Sequence, residues 1–241
     1  MFFGENKGIG MFRIYPKILM ILAGASMALM AVGQYAIWFY APEETTMGVV
    51  QKIFYFHLPL AWWSFAAFFG VCVASVMLLW RGREHWDVLA GVFAEIGVLF
   101  SGLALVTGSI WGRAAWNTWW TWDPRLSTTL VMWFVYAGYL VLRSADVGGG
   151  KGARVRAVLG IVAFLDVPLV FLSARLWRSI HPAVLASKGG GMEPEMWTVV
   201  WINFVAWGVL FGALVLARYH GVGLKRRVEA ALLRIQEKTL Q

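Results

Sequence analysis

Long apolar runs alternate with short polar segments along almost the whole chain. Six of these runs have the length and composition to cross a bilayer, which takes about 20 mainly apolar residues in a helix. Because the runs are continuous and lack the alternation of a membrane β-strand, each of them predicts an α-helix. The predicted spans are residues 18–39, 53–80, 88–110, 126–142, 157–174 and 197–217. The pattern therefore predicts an all-α polytopic membrane protein with six transmembrane helices.

The composition excludes several other classes of protein. Of the 241 residues, 60% are hydrophobic and 14% are charged, whereas a soluble domain has about 25% charged residues. Soluble, disordered and nucleic-acid-binding proteins are therefore poor matches, and we expect no nucleic-acid partner. The chain has a single cysteine, Cys72, inside an apolar run, so neither an internal disulfide nor a cysteine-rich metal site can form.

The positive charges are distributed unevenly between the segments that connect the spans. Fifteen of the 21 Lys and Arg residues lie in the two tails and in the second and fourth connecting segments, and six lie on the other side. Because positive residues concentrate on the cytoplasmic side of a membrane, both termini are predicted to be cytoplasmic. The net charge of +8 thus mainly reflects orientation.

The chain is predicted to divide into a membrane domain, residues 1–217, and a basic cytoplasmic tail, residues 218–241. Apolar residues recur in the tail at helical spacing with basic residues between them, which predicts an amphipathic helix lying at the membrane surface. Contact with a cytoplasmic partner protein is the alternative. The apolar positions are Leu224, Val228, Ala231, Leu232 and Ile235.

Tryptophan is concentrated in one outer segment, residues 111–125, between the third and fourth spans. Five of the 15 Trp residues lie between positions 111 and 122. Isolated residues such as Trp38, Trp80 and Trp197 fit the aromatic belt that places indoles at both membrane interfaces. Anchoring a helix end takes one or two rings, and further exposed rings would be apolar surface with no purpose. The segment therefore indicates a binding surface.

If this segment coils as one helical turn, Trp116, Trp119, Trp120 and Asp123 share a face by their spacing. Such an aromatic face would suit a large, flat, partly apolar ligand. Asp123 also precedes Pro124 at the start of an apolar run, which is typical of a helix N-cap followed by proline. The two interpretations are compatible, because a cap would fix where the segment meets the fourth helix.

Two of the four histidines, His57 and His181, lie on the predicted outer side and flank the Trp segment. His85 and His220 lie in basic cytoplasmic segments and are expected to be ordinary solvated residues. A single histidine at a helix end is more often structural, but two on one membrane face favour a ligand-binding interpretation. Neutral imidazole is a common ligand of haem iron. The outer arginines that could pair with haem propionates are Arg113, Arg125 and Arg178.

The stretch Trp-Trp-Thr-Trp-Asp-Pro-Arg-Leu at positions 119–126 closely resembles the "WWD" signature of the haem-handling proteins of cytochrome c biogenesis. The resemblance covers essentially the whole chain: six spans, the signature between the third and fourth, and an outer histidine on each side. Residues 53–59 and the loop around His181 resemble the family's two haem-ligand regions. The number of spans matches the smaller members rather than the haem lyases. Two departures are Asn117, where glycine is common, and the pair Ala114 and Ala115, where more polar residues are usual.

The resemblance implies a haem presenter of the bacterial inner membrane rather than a conventional enzyme. Haem b would be bound as cargo at the outer, periplasmic face and loaded onto a periplasmic haem chaperone, maturation protein E. Further implied partners are ABC transporter subunits A and B and a small membrane protein, maturation protein D. The implied haem-binding set is Trp111, Trp116, Trp119, Trp120, Trp122, Asp123, Arg113, Arg125 and Arg178, with His57 and His181 as axial iron ligands.

Two other functions compete with haem presentation. A b-type membrane cytochrome would need haem ligands deep within the spans, and no predicted span contains two histidines. A secondary transporter would need broken helices and polar groups near the midplane. The transporter interpretation is slightly supported by Glu95 in the third span and by Asp166, two residues before Pro168, in the fifth. Intramembrane carboxylates are functional candidates by default; here packing or partner contact competes with a role in haem entry or proton movement.

Overall fold

The computed structural model describes residues 5–145, 149–177 and 192–239. Regular structure in these ranges is helical, apart from one β-bridge between Glu44 and Gly48. Six segments are long and apolar enough to cross a membrane, which confirms the predicted all-α, six-span class. The helices are α1 (Glu5–Tyr35), α2 (Phe54–Arg81), α3 (Glu84–Trp116), α4 (Pro124–Ser144), α5 (Gly149–Ala163), α6 (Asp166–Leu176) and α7 (Pro194–Thr239). A π-helical turn (Ala36–Tyr40) extends α1, and a 3-10 turn (Val49–Ile53) precedes α2.

The fifth span is broken, whereas the sequence predicts one helix over residues 157–174. It consists of α5 and α6, separated by Phe164 and Leu165. Pro168 explains the break, because its ring would clash with the carbonyl of Phe164, four residues earlier, and it has no N–H to donate to that group. The Phe164 carbonyl accepts instead from the N–H of Val167, at 3.1 Å. The span also starts earlier than predicted, since the apolar segment runs over Lys151–Ser173.

The sixth span and the tail form one helix of 46 residues, α7. The tail is helical, as expected, but it does not begin a separate surface helix. No proline follows Pro194 to interrupt the backbone hydrogen bonds. At about 1.5 Å per residue the helix is about 70 Å long, more than twice the roughly 30 Å thickness of the hydrocarbon core. Residues 223–239 are exposed along it.

Helices α2 and α3 form the centre of the bundle. Helix α4 packs on α3, α5 on α2, and α7 on α2 and α3, while α1 packs chiefly on α7. Two glycines allow the central pair to approach closely: Gly70 of α2 faces the ring of Phe93, and Gly97 of α3 faces the ring of Phe68. A methyl group at Gly97 would lie 2.5 Å from the Phe68 ring. Small residues at such contacts are typical of membrane helix packing, and this pair holds the first turns of α2 against the last turns of α3.

Candidate functional site

His57 is the fourth residue of α2, and its ring lies against α3. The Nδ1 atom is 3.1 Å from the carbonyl oxygen of Ala104 and 3.1 Å from Oγ1 of Thr107. A backbone carbonyl can only accept a hydrogen bond, so Nδ1 carries the ring proton and donates it. In a neutral imidazole with this tautomer, the lone pair is on Nε2. This is the arrangement of a histidine that ligates a metal through Nε2 and is oriented through Nδ1.

Besides Ala104, three residues of α3 support the His57 ring. The hydroxyl of Thr107 donates to the carbonyl of Leu103 at 2.8 Å, which leaves an oxygen lone pair for the N–H of His57. At Gly108, a methyl group would lie 3.1 Å from Cε1 of His57, so the ring stands directly against the helix backbone. Trp111 packs edge-on against the ring, with the centroids 6.0 Å apart.

The Trp segment does not form a helical turn. The prediction that one helix face carries Trp116, Trp119, Trp120 and Asp123 is therefore wrong. Helix α3 ends at Trp116, and residues 117–123 are irregular. Asn117 ends the helix in the left-handed conformation, with φ of 58°. Asparagine tolerates this conformation better than other non-glycine residues, which accounts for its presence at a position where glycine is common. Asp123 is extended, as the residue before a proline usually is.

The irregular segment folds back along the last turns of α3. The hydroxyl of Ser109 donates to the carbonyl of Trp119 at 2.7 Å, and Arg113 donates to the carbonyl of Asn117 at 2.7 Å. Gly112 leaves room for this approach, because a methyl group there would lie 3.2 Å from the carbonyl oxygen of Thr118. Since Thr107 and Ser109 are two residues apart in α3, the same end of this helix contacts both His57 and the Trp segment.

The five indoles divide into one buried ring and four that are partly or largely accessible. Trp111 is 3% exposed and belongs to a buried cluster, where it packs against His57 and has no accessible face. Trp119 and Trp122 are 60% and 79% exposed. Trp116 is also exposed, and the half-buried Trp120 lies edge-on to Trp122, with the centroids 6.1 Å apart. The accessible apolar surface is therefore carried mainly by the segment itself.

Comparison with known proteins decides the family. The model of the Heme exporter protein C family matches residues 7–234. The chain belongs to this family. It is 35% identical over 217 residues to the heme exporter protein C of Bradyrhizobium diazoefficiens, covering 89% of this chain and 82% of that protein. It is 30% identical over 218 residues to that of Rhodobacter capsulatus, covering 89% and 90%. A putative cytochrome c biosynthesis ccmC-like mitochondrial protein of Marchantia polymorpha is 29% identical over 193 residues, covering 80% and 82%.

Membership in the heme exporter protein C family confirms the resemblance seen in the WWD signature. It places the chain among the membrane proteins that handle haem for cytochrome c biogenesis. Two of the residues that the resemblance implies for this family, His181 and Arg178, lie outside the described residues. The part of the chain that the structure describes thus contains one of the two expected iron ligands, His57.

Asp123 and Arg125 join the Trp segment of this family member to α4. Asp123 is buried, and its Oδ1 accepts a hydrogen bond from the backbone N–H of Arg125 at 2.9 Å. Pro124 follows at the first helical position. This confirms the predicted N-cap. The side chain of Arg125 is half-buried on α4, at the same end of the bundle as the Trp segment.

The two intramembrane carboxylates have different surroundings. Glu95 forms a two-pronged ion pair with Arg218 of α7, with Nη2 of the arginine 2.9 Å from Oε1. Packing between helices is therefore what the structure supports for Glu95. Asp166 begins α6 at the break in the fifth span, and its Oδ2 is buried without a hydrogen-bond partner in the described part of the chain.

Several residues of the site could not be singled out from the sequence. Thr107, Gly108, Ser109 and Gly112 are small residues within an apolar run of α3, and nothing in a single sequence distinguishes them from packing residues. Their contacts with His57 and with the Trp segment depend on how α2 and the segment pack on α3. The composition of the span gives no signal either, because small and polar residues recur every few positions in both of its halves.

Proposed function

We propose that the chain holds haem b as cargo at the outer face of the membrane and presents it to a periplasmic haem chaperone. One observation carries the proposal: the Nδ1–H of His57 donates to the carbonyl of Ala104, so that Nε2 has the lone pair that iron ligation requires. In this proposal Nε2 of His57 is one axial ligand and His181 is the other. Haem handling itself follows from family membership.

The accessible indoles of the segment would contact the porphyrin. Trp119 and Trp122 expose flat apolar area at the end of the bundle that also holds His57. Aromatic rings prefer offset or edge contacts with one another and bury large areas, so they can support a macrocycle without enclosing it. Trp116 and Trp120 would extend this surface, and Trp111 would hold the His57 ring from behind.

The propionates of the cargo would pair with outer arginines. Arg113 already donates to Asn117 through Nη1, and a guanidinium has five N–H donors in total. The remaining N–H donors of Arg113 lie on α3 and the donors of Arg125 lie on α4, and these two helices flank the segment. Arg178 would add a third cation. Paired guanidinium–carboxylate bonds would orient the cargo more specifically than apolar contact alone.

A surface site suits transfer better than a buried one. With one edge of the haem open, the chaperone (maturation protein E) can reach a vinyl group and then replace one axial ligand. The ABC transporter subunits A and B and the small membrane protein, maturation protein D, are the other partners in this proposal. The long exposed tail of α7 and the lightly packed α1 leave surface available for such partners.

The chaperone step can be tested by haem loading normalised to the haem that each variant itself binds. The chain and the chaperone are co-expressed, and covalent haem on the chaperone is measured with wild type, with Trp122→Ala and with Trp80→Ala. Trp80 is 74% exposed at the opposite end of the bundle, so it is a matched control. We expect haem on the chaperone to fall only with Trp122→Ala. Equal loading with all three proteins would contradict presentation by the segment.

A secondary transporter is the second candidate, because the fifth span is broken and a carboxylate begins its second half. Discontinuous helices near the midplane are typical of transporter binding sites. Pro168 is sufficient to explain the break, however, and transport leaves the Trp segment without a role. The variant Asp166→Asn distinguishes the two functions. If haem binds at the Trp segment and His57, this variant should contain as much haem as wild type.

A further inference from the structure

A cavity of about 280 Å³ lies between α3, α4 and α7 at the end of the bundle opposite to the Trp segment. Its wall carries four cationic and two anionic side chains beside several valines. The charged residues are Arg143, Arg218, Lys225, Arg226, Glu95 and Glu229. The proposed haem site uses none of them.

The length of α4 places this cavity at the level of the lipid headgroups. Helix α4 has 21 residues and is about 30 Å long, which equals the thickness of the hydrocarbon core. Arg143 is its penultimate residue, so its side chain lies at the membrane boundary. The guanidinium rests on Gly91 of α3, where any Cβ atom would overlap it. Gly91 therefore marks the same level on α3.

Among the described residues, the charges around Arg143 do not balance. The buried carboxylate of Asp87 accepts from Arg156 through both oxygens, at 3.3 and 3.2 Å, and from Nη1 of Arg143 at 3.0 Å. Two guanidiniums thus share one carboxylate, and Arg156 occupies both of its oxygens. The other cations of the wall are paired one to one, as in Arg218 with Glu95. In the described part of the chain, one positive charge is therefore in excess on this cluster, and Arg143 is its member on the cavity wall.

An anion in the cavity would neutralise this surplus, and the position of the cavity indicates which anion. Partly buried charges are costly unless they are paired, and basic pockets between membrane helices bind anionic lipid headgroups. Valines lie in the wall beside the charged groups, and exposed apolar side chains such as Leu99 and Leu103 continue along α3. We propose that the cavity binds the phosphate of an anionic phospholipid through Arg143, with the acyl chains along α3.

Lipid retention by the full-length protein tests this proposal. The protein is purified, equilibrated with equal amounts of phosphatidylglycerol and phosphatidylcholine, and examined by native mass spectrometry. We expect retention of phosphatidylglycerol over phosphatidylcholine. Arg143→Gln should reduce that retention about fivefold, the effect of one cation at an anionic membrane surface. Arg234→Gln, on the exposed tail of α7, should have no effect.

Further variants and measurements distinguish other occupants of the cavity and control for misfolding. Arg143→Lys keeps the charge and should keep most of the retention, while helix content and haem content verify the fold of each variant. Equal retention of the two lipids, or undiminished retention by a folded Arg143→Gln, would overturn the proposal. So would displacement of phosphatidylglycerol by inorganic phosphate, which would indicate a free-phosphate site. Exclusion of the lipid by a co-purified protein would indicate a protein contact and would overturn it as well.

Discussion

Nδ1 of His57 on α2 lies 3.1 Å from the carbonyl oxygen of Ala104 on α3. This contact joins the two helices, and its backbone carbonyl can only accept a hydrogen bond. Helix α3 therefore sets both the tautomer and the orientation of the imidazole before any ligand arrives. Loss of a residue that orients a metal-ligating histidine typically lowers metal affinity by roughly 10- to 100-fold.

Thr107 provides the second acceptor for His57, and its removal should weaken haem binding. Thr107→Val keeps the shape of the side chain but loses the oxygen that is 3.1 Å from Nδ1. We expect haem affinity to fall about tenfold, with a shifted absorption spectrum, while Thr107→Ser behaves as wild type. Haem titration followed by absorbance measures this. Identical affinities for the valine and serine variants would contradict a positioning role.

Gly108 provides the space that the His57 ring occupies. Gly108→Val should move the imidazole, because even a methyl group would lie 3.1 Å from Cε1. We expect low haem content in a protein that remains folded. Gly138→Ala is the control, since nothing lies within 4 Å of a Cβ atom there. Haem per protein is measured by pyridine haemochrome assay, and wild-type haem content in Gly108→Val would refute the close packing of this ring on α3.

Asn117 turns the chain out of α3 with φ of 58°. Asn117→Val should destabilise the protein by about 1–2 kcal/mol, because a left-handed conformation is costly for a β-branched residue. Asn117→Gly removes the strain but also the side-chain contact with Arg113, so we expect a smaller change. Thermal unfolding in detergent compares the variants. Equal stability of the valine and glycine variants would show that this conformation is not needed.

The exposed indoles should contribute to haem capture in proportion to their accessible area. Trp119→Ala and Trp122→Ala each remove a largely exposed ring without opening the core. We therefore expect lower haem content with unchanged thermal stability. Trp111→Ala should behave differently, since this buried ring contacts Phe54 and His57, and both stability and haem content should fall. A loss of stability alone in all three variants would assign the rings to packing.

Much of the fold could be predicted from the sequence, because a membrane span needs a long apolar run and few other structures contain one. The break at Phe164 was not expected, although Pro168 supplies its cause, since prolines are also tolerated within membrane helices such as α2, which contains Pro59. The continuity of α7 was missed because hydropathy changes at residue 217 while helical hydrogen bonding does not.

The site was predicted in part. The place of His57 near the start of α2 follows from the predicted span, and the cap at Asp123 follows from the Asp-Pro pair; the structure has both. The path of residues 117–123 does not follow from spacing, because it depends on one left-handed residue and on hydrogen bonds to Ser109 and Arg113. The orientation of both termini and the pairing of His57 with His181 stay predictions.

The central claim, that Nε2 of His57 ligates haem iron, is tested most directly by the absorption spectrum of His57→Gly with and without added imidazole. We expect the purified variant to have little haem and to lack the wild-type spectrum, and we expect free imidazole to restore the spectrum by filling the vacated position. His85→Gly, at the opposite end of the bundle, is the control and should match wild type. Normal haem content and an unchanged spectrum in His57→Gly would contradict the claim.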